Sequence, residues 1–267
     1  MSILSEILAS KRTEVAIKRE HTVPQELEKR VRDAPAPRDF VGALRAGQEA
    51  AASIALIAEV KKASPSKGII CENFDPLEIA RTYAENGASC LSVLTDEKYF
   101  QGHLNYLPQI REIVSLPLLR KDFIVDEWQI AESRAFGADA ILLIVAALSP
   151  PDLRRFLKAT RDSGMAALVE VHDQDEMNEA LDAGAELIGI NNRDLHTFRT
   201  TLATTLNLVA NLPPAPNRLL VSESGIFTAA DVAQLRTAGV EAFLVGEALM
   251  RESDIGAKMR ELLAPVL

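Results

Sequence analysis

Five phrases along the chain share one pattern, in which a segment with helical spacing ends in glycine and an apolar run of strand length follows. They are ENGASCLSVL (85–94), AFGADAILLI (135–144), DSGMAALVEV (162–171), DAGAELIGI (182–190) and TAGVEAFLVG (237–246). The apolar runs lack the polar alternation of a half-exposed strand. This pattern is typical of parallel strands that are covered on both faces, and such strands need helical crossover connections.

Further apolar runs complete a repeating series of strands and helices. The runs cover 53–60, 116–123 and 218–224, which makes eight predicted strands in all. Helical patterns follow them at 74–86, 105–115, 126–136, 150–163, 173–183, 200–211, 227–238 and 254–264. Eight strand-then-helix units predict an α/β fold, the (β/α)8 or TIM barrel. An open doubly wound sheet has the same alternation, so the count alone leaves closure open.

About fifty residues precede the first predicted strand. Residues 2–20 predict an amphipathic helix whose apolar positions are Ile3, Leu4, Ile7, Leu8, Val15 and Ile17. The phrase DAPAPRDF separates this helix from a second short one. Neither piece is long enough to hold a core of its own. We therefore expect one barrel domain over 1–267, of which about 1–50 form a helical extension that caps the barrel.

Composition excludes several classes of protein. With 48% hydrophobic and 25% charged residues in 267, the chain has the composition of an ordinary globular protein, and its length suits two small domains or one large barrel. The net charge of -9 argues against a nucleic-acid binder. The two cysteines, Cys71 and Cys90, have neither disulfide nor zinc spacing, and no apolar stretch has the length of a membrane span or a signal peptide. We expect a cytoplasmic protein with no membrane partner.

Polar side chains stand at the carboxyl ends of the predicted strands, where barrels of this kind hold their reacting groups. In IALIAEVKKASPSKG, strand alternation places Glu59 and Lys61 on the inner face that Ala55 and Ile57 begin. The other strand ends contribute Lys121, Glu170, Asn191 and Arg193, and then Glu223, Ser224 and Gly225.

Any one of these residues alone could be a solvated residue at the rim. The whole set is different, because buried charges cost several kcal/mol each and apolar replacements are often neutral or stabilising. A barrel selected for stability alone would not need them. The set therefore predicts acid–base or anion-binding groups at a catalytic mouth.

Glycine-containing loops suggest a phosphate site. Gly225 and Gly246 follow the seventh and eighth strands, where backbone N–H groups and the start of a following helix favour an anion. Ser64 and Lys67 lie in the loop after the first strand as a hydroxyl donor and a counter-charge. The loops predict a phosphorylated small-molecule substrate.

Apolar residues also reach the predicted mouth. Phe123 follows Lys121, and the uncharged segment 141–148 belongs to the fourth strand, so one wall could receive a flat aromatic group, although most of that segment is also typical of plain core. We expect His172 to face away from Glu170. His21, His103 and His196 lie in loops or in the extension, and none of the four histidines is given a role.

Six phrases together closely resemble the motifs of the indole-3-glycerol phosphate synthase family, in the same order and at the matching strands. They are IAEVKKASPSKG, LRKDFI, ALVEVHD, GINNRDL, VSESGI and AFLVGEALM. The resemblance implies a lyase of tryptophan biosynthesis that works without a metal or an organic cofactor. It would convert 1-(2-carboxyphenylamino)-1-deoxyribulose 5-phosphate into indole-3-glycerol phosphate, carbon dioxide and water.

The resemblance also implies roles for single residues. Lys121 would be the general acid that protonates the carbonyl oxygen, and Glu170 would transfer protons during closure and dehydration with Glu59 as partner or base. Lys61 would contact the anthranilate carboxylate, and Asn191 and Glu223 would hold the sugar hydroxyls and the intermediate. Ser64, Gly225 and Gly246 would contact phosphate, with Ser224 and Phe123 among the binding residues and Arg193 as a brace. We expect Lys121 to have a lowered pKa and the glutamates of the mouth a raised pKa.

Glu247 departs from part of the family, where some relatives carry a small hydroxyl residue, so only the backbone contact of Gly246 with phosphate is carried over. Some relatives are fused to a second barrel, for which this chain has no room. The nearest rival hypothesis is an isomerase of phosphoribosyl intermediates, which would share the glycine loops but usually relies on Asp and Cys or on two Asp residues. A second rival hypothesis is a barrel that only binds a ligand or a partner protein. The motifs argue against it, because every one of their charged positions is filled. Association with itself or with other enzymes of the pathway stays open.

Overall fold

The computed structural model describes residues 2–49, 54–194, 197–213 and 215–264. Eight parallel strands close into a barrel in the order β1-β8-β7-β6-β5-β4-β3-β2. The strands are β1 (Ala55–Val60), β2 (Cys90–Leu94), β3 (Leu118–Lys121), β4 (Ala140–Ile144), β5 (Ala166–Val171), β6 (Leu187–Asn191), β7 (Leu219–Glu223) and β8 (Ala242–Val245). Each predicted strand overlaps one of these, so the barrel is confirmed and the open doubly wound sheet is excluded.

Eight helices follow the strands at the predicted places. They are α4 (Pro76–Glu85), α5 (Tyr106–Ile113), α6 (Trp128–Ala135), α7 (Pro150–Asp162), α8 (Gln174–Asp182), α9 (Ala203–Ala210), α10 (Ala229–Thr237) and α11 (Ile255–Leu263). Some short elements in the loops were not predicted. They are the helical segments Glu97–Phe100, Val145–Ala147 and Glu247–Met250, and an antiparallel pair of two-residue strands, Ala63–Ser64 with Gly68–Ile69.

The repeated glycine joints have one conformation. In the five phrases the glycines are Gly87, Gly137, Gly164, Gly184 and Gly239, and all have a positive φ between 74° and 102°. A side chain would be strained there, and glycine ends each helix and turns the chain into the next strand.

Two layers of apolar side chains hold the fold. One layer packs between the strands and the surrounding helices, for example Leu56, Leu91 and Phe243. The other fills the barrel interior, where Ala55, Ile57 and Leu119 belong to alternate positions of their strands. The interior core is packed with apolar side chains, and the charged side chains Glu59, Lys121, Glu170 and Glu223 stand at its carboxyl end.

Three helices precede β1: α1 (Ile3–His21), α2 (Pro24–Asp33) and α3 (Phe40–Glu49). The sequence predicted two, and α2 was missed because its apolar content is small and none of its residues is buried. Phe40 and Leu44 of α3 pack into the interior near the start of β1 and β2, where the Cys90 thiol contacts the Phe40 carbonyl. Leu4 and Leu8 of α1 join the same core from the carboxyl end, and α1 therefore forms part of the mouth.

Lys11 holds α1 in this position. Its side chain is 1% exposed, and its Nζ lies 2.8 Å from Asp96 Oδ2 and 3.0 Å from Asp122 Oδ1. Asp122 in turn pairs with the buried Arg120 at 3.1 Å. Lys11 completes the apolar stripe of Leu4, Leu8 and Val15 by helical spacing, although the sequence alone did not single it out. Ile17, expected on the buried face, is 53% exposed, and that part of the prediction is wrong.

Candidate active site

The polar strand ends converge on one pocket at the carboxyl end of the barrel. The pocket is lined by every predicted site residue except Gly225: Glu59, Lys61, Ser64, Lys121, Phe123, Glu170, Asn191, Arg193, Glu223, Ser224 and Gly246. Gly225 immediately follows the lining residue Ser224. The structure thus brings the predicted residues together in one pocket. The role of each residue depends on its charge and its contacts.

Lys121 is the centre of the charge cluster. Its Nζ lies 2.9 Å from Glu170 Oε2 and 3.3 Å from Glu223 Oε2. Burial alone would lower the pKa of this lysine, but the negative charges of Glu170, Glu223 and Glu59 outweigh burial and raise it. The expected lowered pKa is wrong because carboxylates, not cations, surround the amine.

Glu170 is an ionised carboxylate in a buried position. Its Oε1 accepts a hydrogen bond from Asn191 Nδ2 at 3.2 Å, while Oε2 accepts one from Lys121. Burial would raise the pKa of Glu170, yet the charges of Lys121 and His172 lower it below its ordinary value. The raised pKa expected for this residue is therefore wrong.

Glu59 and Lys61 form a second ion pair, with Glu59 Oε1 2.6 Å from Lys61 Nζ. Glu59 Oε2 accepts a weaker contact from Ser92 Oγ at 3.4 Å. Burial opposes ionisation of Glu59, but Lys61 and Lys121 outweigh it and lower the pKa of the carboxyl. The pair on the inner face that strand alternation predicted is confirmed, whereas the raised pKa is not.

Glu223 differs from the other two glutamates. Burial raises its pKa to about 7, Lys121 opposes the rise, and the negative charges of Glu170 and Glu59 reinforce it. Its Oε1 has no hydrogen-bond partner within the described part of the chain. Glu223 is the glutamate of the cluster that fits the expected raised pKa.

His172 lies against Glu170, and the expectation that it faces away is wrong. Residues two apart along a strand share a face, and the His172 Nε2 is 3.3 Å from Glu170 Oε1. The sequence already indicated this contact, since Glu170 and His172 are two residues apart in ALVEVHD and therefore share a face of the strand.

Apolar side chains form one wall of the pocket, as predicted. Phe123 lies there beside Phe100, with ring centroids 6.1 Å apart. Leu142 and Ile144 come from β4, and α1 adds Ile3, Leu4 and Ile7. The contribution of α1 was not predicted, because no strand-end rule identifies a helix that folds back over the mouth.

Ser64 and the loop after β7 also line the pocket. The Ser64 Oγ is buried and lacks a hydrogen-bond partner among residues that the structure describes. Ser224 and Gly225 both have left-handed backbones, with φ of 66° and 76°, and the Ser224 carbonyl accepts a hydrogen bond from Asn192 Nδ2 at 3.0 Å. Helix α10, predicted from 227, begins at Ala229 with Thr228 as its N-cap, and the segment Glu247–Met250 follows Gly246 at once.

Arg193 links three loops around this side. Its Nη1 donates to Ser66 Oγ at 2.5 Å and its Nη2 to Glu247 Oε2 at 2.9 Å. Its backbone N–H donates to Asn191 Oδ1 at 3.0 Å, which fixes the amide that contacts Glu170. Glu247 also lies 3.8 Å from Lys67 Nζ and 2.8 Å from Arg251 Nη2.

Two further observations concern partners of the site. The described residues contain no group of three or more His, Cys, Asp or Glu side chains that could hold a metal ion. No helix of the described ranges is both long and apolar enough to cross a membrane. His196 lies outside the described residues, so its expected loop position is not addressed.

A closed (β/α)8 barrel with alternating lysines and glutamates at its carboxyl mouth is a barrel enzyme built for acid–base chemistry. Residues 4–262 match the family model of indole-3-glycerol phosphate synthase. The chain belongs to the indole-3-glycerol phosphate synthase family, and it is a carboxy-lyase of tryptophan biosynthesis.

Curated relatives agree over nearly the whole length. An indole-3-glycerol phosphate synthase of Roseiflexus sp. (strain RS-1) is 57% identical over 98% of both chains. One of Burkholderia vietnamiensis (strain G4 / LMG 22486) is 54% identical over 97% of this chain and 98% of its own.

Solved structures of lower identity share the fold alone. A 3-hexulose-6-phosphate synthase from Salmonella typhimurium is 13% identical, with a TM-score of 0.63 over 78% of this chain and 96% of its own. A thiamine phosphate pyrophosphorylase from Pyrococcus furiosus is 16% identical, with a TM-score of 0.58 over 78% of this chain and 93% of its own.

Proposed function

We propose that this pocket converts 1-(2-carboxyphenylamino)-1-deoxyribulose 5-phosphate into indole-3-glycerol phosphate, carbon dioxide and water, and that the residues of the mouth divide the proton transfers among them. The observation that carries the proposal is the contact of one buried lysine with two glutamates beside an apolar wall. Lys121 Nζ lies 2.9 Å from Glu170 and 3.3 Å from Glu223.

The reaction defines how many protons must move. Carbon–carbon bond formation at the ketone puts one proton on the carbonyl oxygen. Loss of carbon dioxide then returns the electron pair to the aromatic ring. Departure of the resulting hydroxyl as water takes a second proton, and removal of a proton from the neighbouring ring carbon completes the indole. The site therefore needs two donors and one acceptor, with a net uptake of one proton.

Lys121 is the first donor. The surrounding carboxylates keep it protonated in the resting site, so a proton is present at the amine when the substrate arrives. Binding places the carbonyl oxygen within reach of this amine. The growing negative charge on that oxygen is what a buried cation stabilises in the transition state.

Glu170 is the proton acceptor, because the resting site holds it as a carboxylate. Asn191 orients it through the 3.2 Å hydrogen bond. Asn191 and Glu223 also hold the sugar hydroxyls and the intermediate from their adjacent strands β6 and β7, where they are paired in register.

Lys61 and Glu59 serve the carboxylate and the dehydration. Lys61 binds the anthranilate carboxylate in the substrate and donates to the departing hydroxyl later. Glu59, 2.6 Å from Lys61 Nζ, holds the amine in place. Lys61 regains its proton from solvent, which supplies the one proton taken up in each turnover.

The remaining contacts position the two ends of the substrate. Phe123 and its apolar neighbours receive the aromatic ring. The phosphate binds to a free hydroxyl and to backbone N–H groups, which belong to Ser64, Ser224, Gly225 and Gly246. Arg193 braces the loops that carry these residues. Because α1 lines the same pocket, the extension over about 1–50 and the barrel form one functional domain over 1–267.

We also propose a cytoplasmic enzyme that binds a phosphorylated small molecule and needs neither a metal nor an organic cofactor. The net charge of -9 supports the absence of nucleic-acid partners. We expect no membrane partner.

The experiment is a turnover assay with Lys121→Ala. Indole fluorescence is followed in the presence of a chelator and without added metal, and substrate binding is measured by calorimetry. Wild type should give the indole signal, and Lys121→Ala should abolish it while binding is retained. Lys158→Ala, at an exposed position on α7, is the control. Near-normal turnover of Lys121→Ala would remove this lysine from the donor role.

A further inference from the structure

His172 lies between two carboxylates outside the pocket lining. Its Nε2 is 3.3 Å from Glu170 Oε1, and its Nδ1 is 2.9 Å from Glu176 Oε2. The side chain is 12% exposed. The imidazole therefore joins a site carboxylate to a helix that contributes no residue to the pocket lining.

Glu176 fixes the orientation of the imidazole. It lies in the first turn of α8, where Asp173 caps the helix by accepting a hydrogen bond from the Glu176 N–H at 2.9 Å. The Glu176 Oε2 accepts the His172 backbone N–H at 2.8 Å as well as the ring contact. These contacts hold the ring so that Nε2 points to Glu170.

The charge on the ring follows from its neighbours. Burial would lower the pKa of His172, but Glu170 from β5 and Glu176 from α8 raise it to about 10. The contact with Glu170 is an ion pair and not a straight hydrogen bond, since Nε2 has no partner of hydrogen-bond geometry within the described ranges. A protonated imidazole thus faces the site carboxylate at neutral pH.

A second cation matters because the first one changes during the reaction. In the resting site Lys121 holds Glu170 as a carboxylate. Once Lys121 has given its proton to the substrate, the neutral amine no longer holds Glu170 in its ionised form. Glu170, with Glu223 and Glu59 nearby, would then gain a proton and lose its ability to accept one.

We infer that His172 is a positioning residue, which keeps Glu170 ionised and oriented after Lys121 has transferred its proton. This inference rests on the proposed function, in which Glu170 is the acceptor. His172 itself touches no reacting atom. Its substitution should therefore change kcat and the pH profile more than KM.

Two substitutions of His172 separate its contacts. The amide of His172→Asn matches Nδ1 and can keep the Glu176 contact, but it does not reach Glu170. The longer His172→Gln places an amide donor where Nε2 was. We expect His172→Asn to lower kcat by about ten- to a hundredfold with KM within about twofold. Its acid limb of kcat should move to higher pH, because Glu170 is protonated more easily. His172→Gln should recover part of kcat.

The outcomes that would overturn the inference are specific. If His172→Asn leaves both kcat and the acid limb unchanged, His172 has no positioning role. If both variants lose kcat equally and the acid limb does not move, the loss is a structural effect and the positioning role is also excluded. In NMR, the ring of His172 should stay doubly protonated through pH 8, and titration near the ordinary value of about 6.5 would also contradict the inference.

Glu170→Gln separates this inference from the proposed function. If Glu170→Gln keeps its turnover, the acceptor role of Glu170 fails and the inference fails with it. If Glu170→Gln is inactive while His172→Asn is normal, only the positioning role fails.

Discussion

Gly246 leaves the space that the Glu59 carboxylate occupies. A Cβ atom on Gly246 would lie 2.5 Å from Glu59 Oε1 and 3.0 Å from Glu59 Cβ. The backbone of Gly246 has a φ of -126°, so the glycine is needed for close approach and not for its backbone conformation. The glycine of a predicted phosphate loop therefore also sets the position of the Glu59–Lys61 pair.

Gly246→Ala should lower kcat by about a hundredfold or more, because the methyl group must displace Glu59 and with it Lys61. The measurement is steady-state turnover with a thermal melt of the same preparation. Gly164→Ala is the matched control: its positive φ of 74° makes alanine strained, but its nearest neighbour is Pro37 at 3.6 Å, far from the site carboxylates. The control should lose stability and keep kcat. Equal turnover of both variants would contradict the argument.

Glu223 should make stability depend on pH. Its pKa rises from 4.5 in the ordinary state to about 7 in the folded protein. Between these values the folded state holds a proton that the unfolded state has lost, so the stability contribution of Glu223 falls as pH rises, by up to about 1.4 kcal/mol per pH unit. Glutamine cannot titrate. The free energy of unfolding of wild type minus that of Glu223→Gln should therefore decrease from pH 5 to 7 and level off above pH 7.

Urea denaturation at four pH values measures this difference. Glu28→Gln, at an exposed position on α2, is the control for loss of a carboxylate without burial. A difference that stays constant from pH 5 to 7 would show that Glu223 is ionised in the folded site throughout that range.

Lys11→Met should weaken both the fold and substrate binding. Without the ammonium group, the buried Asp96 loses its cation and the buried Asp122 keeps only Arg120, which costs about 3–5 kcal/mol. Because α1 carries Ile3, Leu4 and Ile7 into the pocket, KM should also rise. Lys18→Met on the same helix is the control, since Lys18 is 35% exposed and pairs with Glu14 on the helix surface. It should change stability by no more than about 0.5 kcal/mol. A Lys11→Met protein with wild-type stability would show that α1 is held by its apolar contacts alone.

Glu247→Gln should strengthen phosphate binding. Glu247 pairs with Arg193 and Lys67 and places a negative charge beside the proposed phosphate position. Removing that charge should lower KM for the phosphorylated substrate by about threefold at low salt, and the gain should shrink as salt is added. Glu252→Gln, on the exposed surface nearby, should leave KM unchanged. A raised KM would mean that Glu247 acts mainly by holding Arg193 in place.

The sequence predicted the barrel because its signals are local and repeated. Gly87, Gly137 and their three counterparts end helices, and a buried strand follows each of them. The inward positions of Glu59 and Lys61 followed from the same two-residue period. What could be read along one strand was therefore read correctly, with the exception of His172.

The errors arise where distant segments meet. The charge of Lys121 depends on Glu170 and Glu223 from strands β5 and β7, so its pKa moved opposite to the expectation. Lys11 finds its partners in Asp96 and Asp122, which lie more than eighty residues further along. Only the closed barrel brings these groups together. His172 is the exception, since its parity with Glu170 was available from the sequence and was misjudged.

The ion pairs of Lys11 also affect when α1 can reach its folded position during synthesis of the chain. Helix α1 leaves the ribosome before the barrel strands, but the ammonium group that it must bury has only Glu14 of the same helix as a partner until the loops after β2 and β3 have been made. Until then α1 exposes its apolar stripe and this charge. A helix made before the barrel thus reaches its final position only after β3 has been made, and the apolar wall of the pocket to which α1 contributes is complete only then.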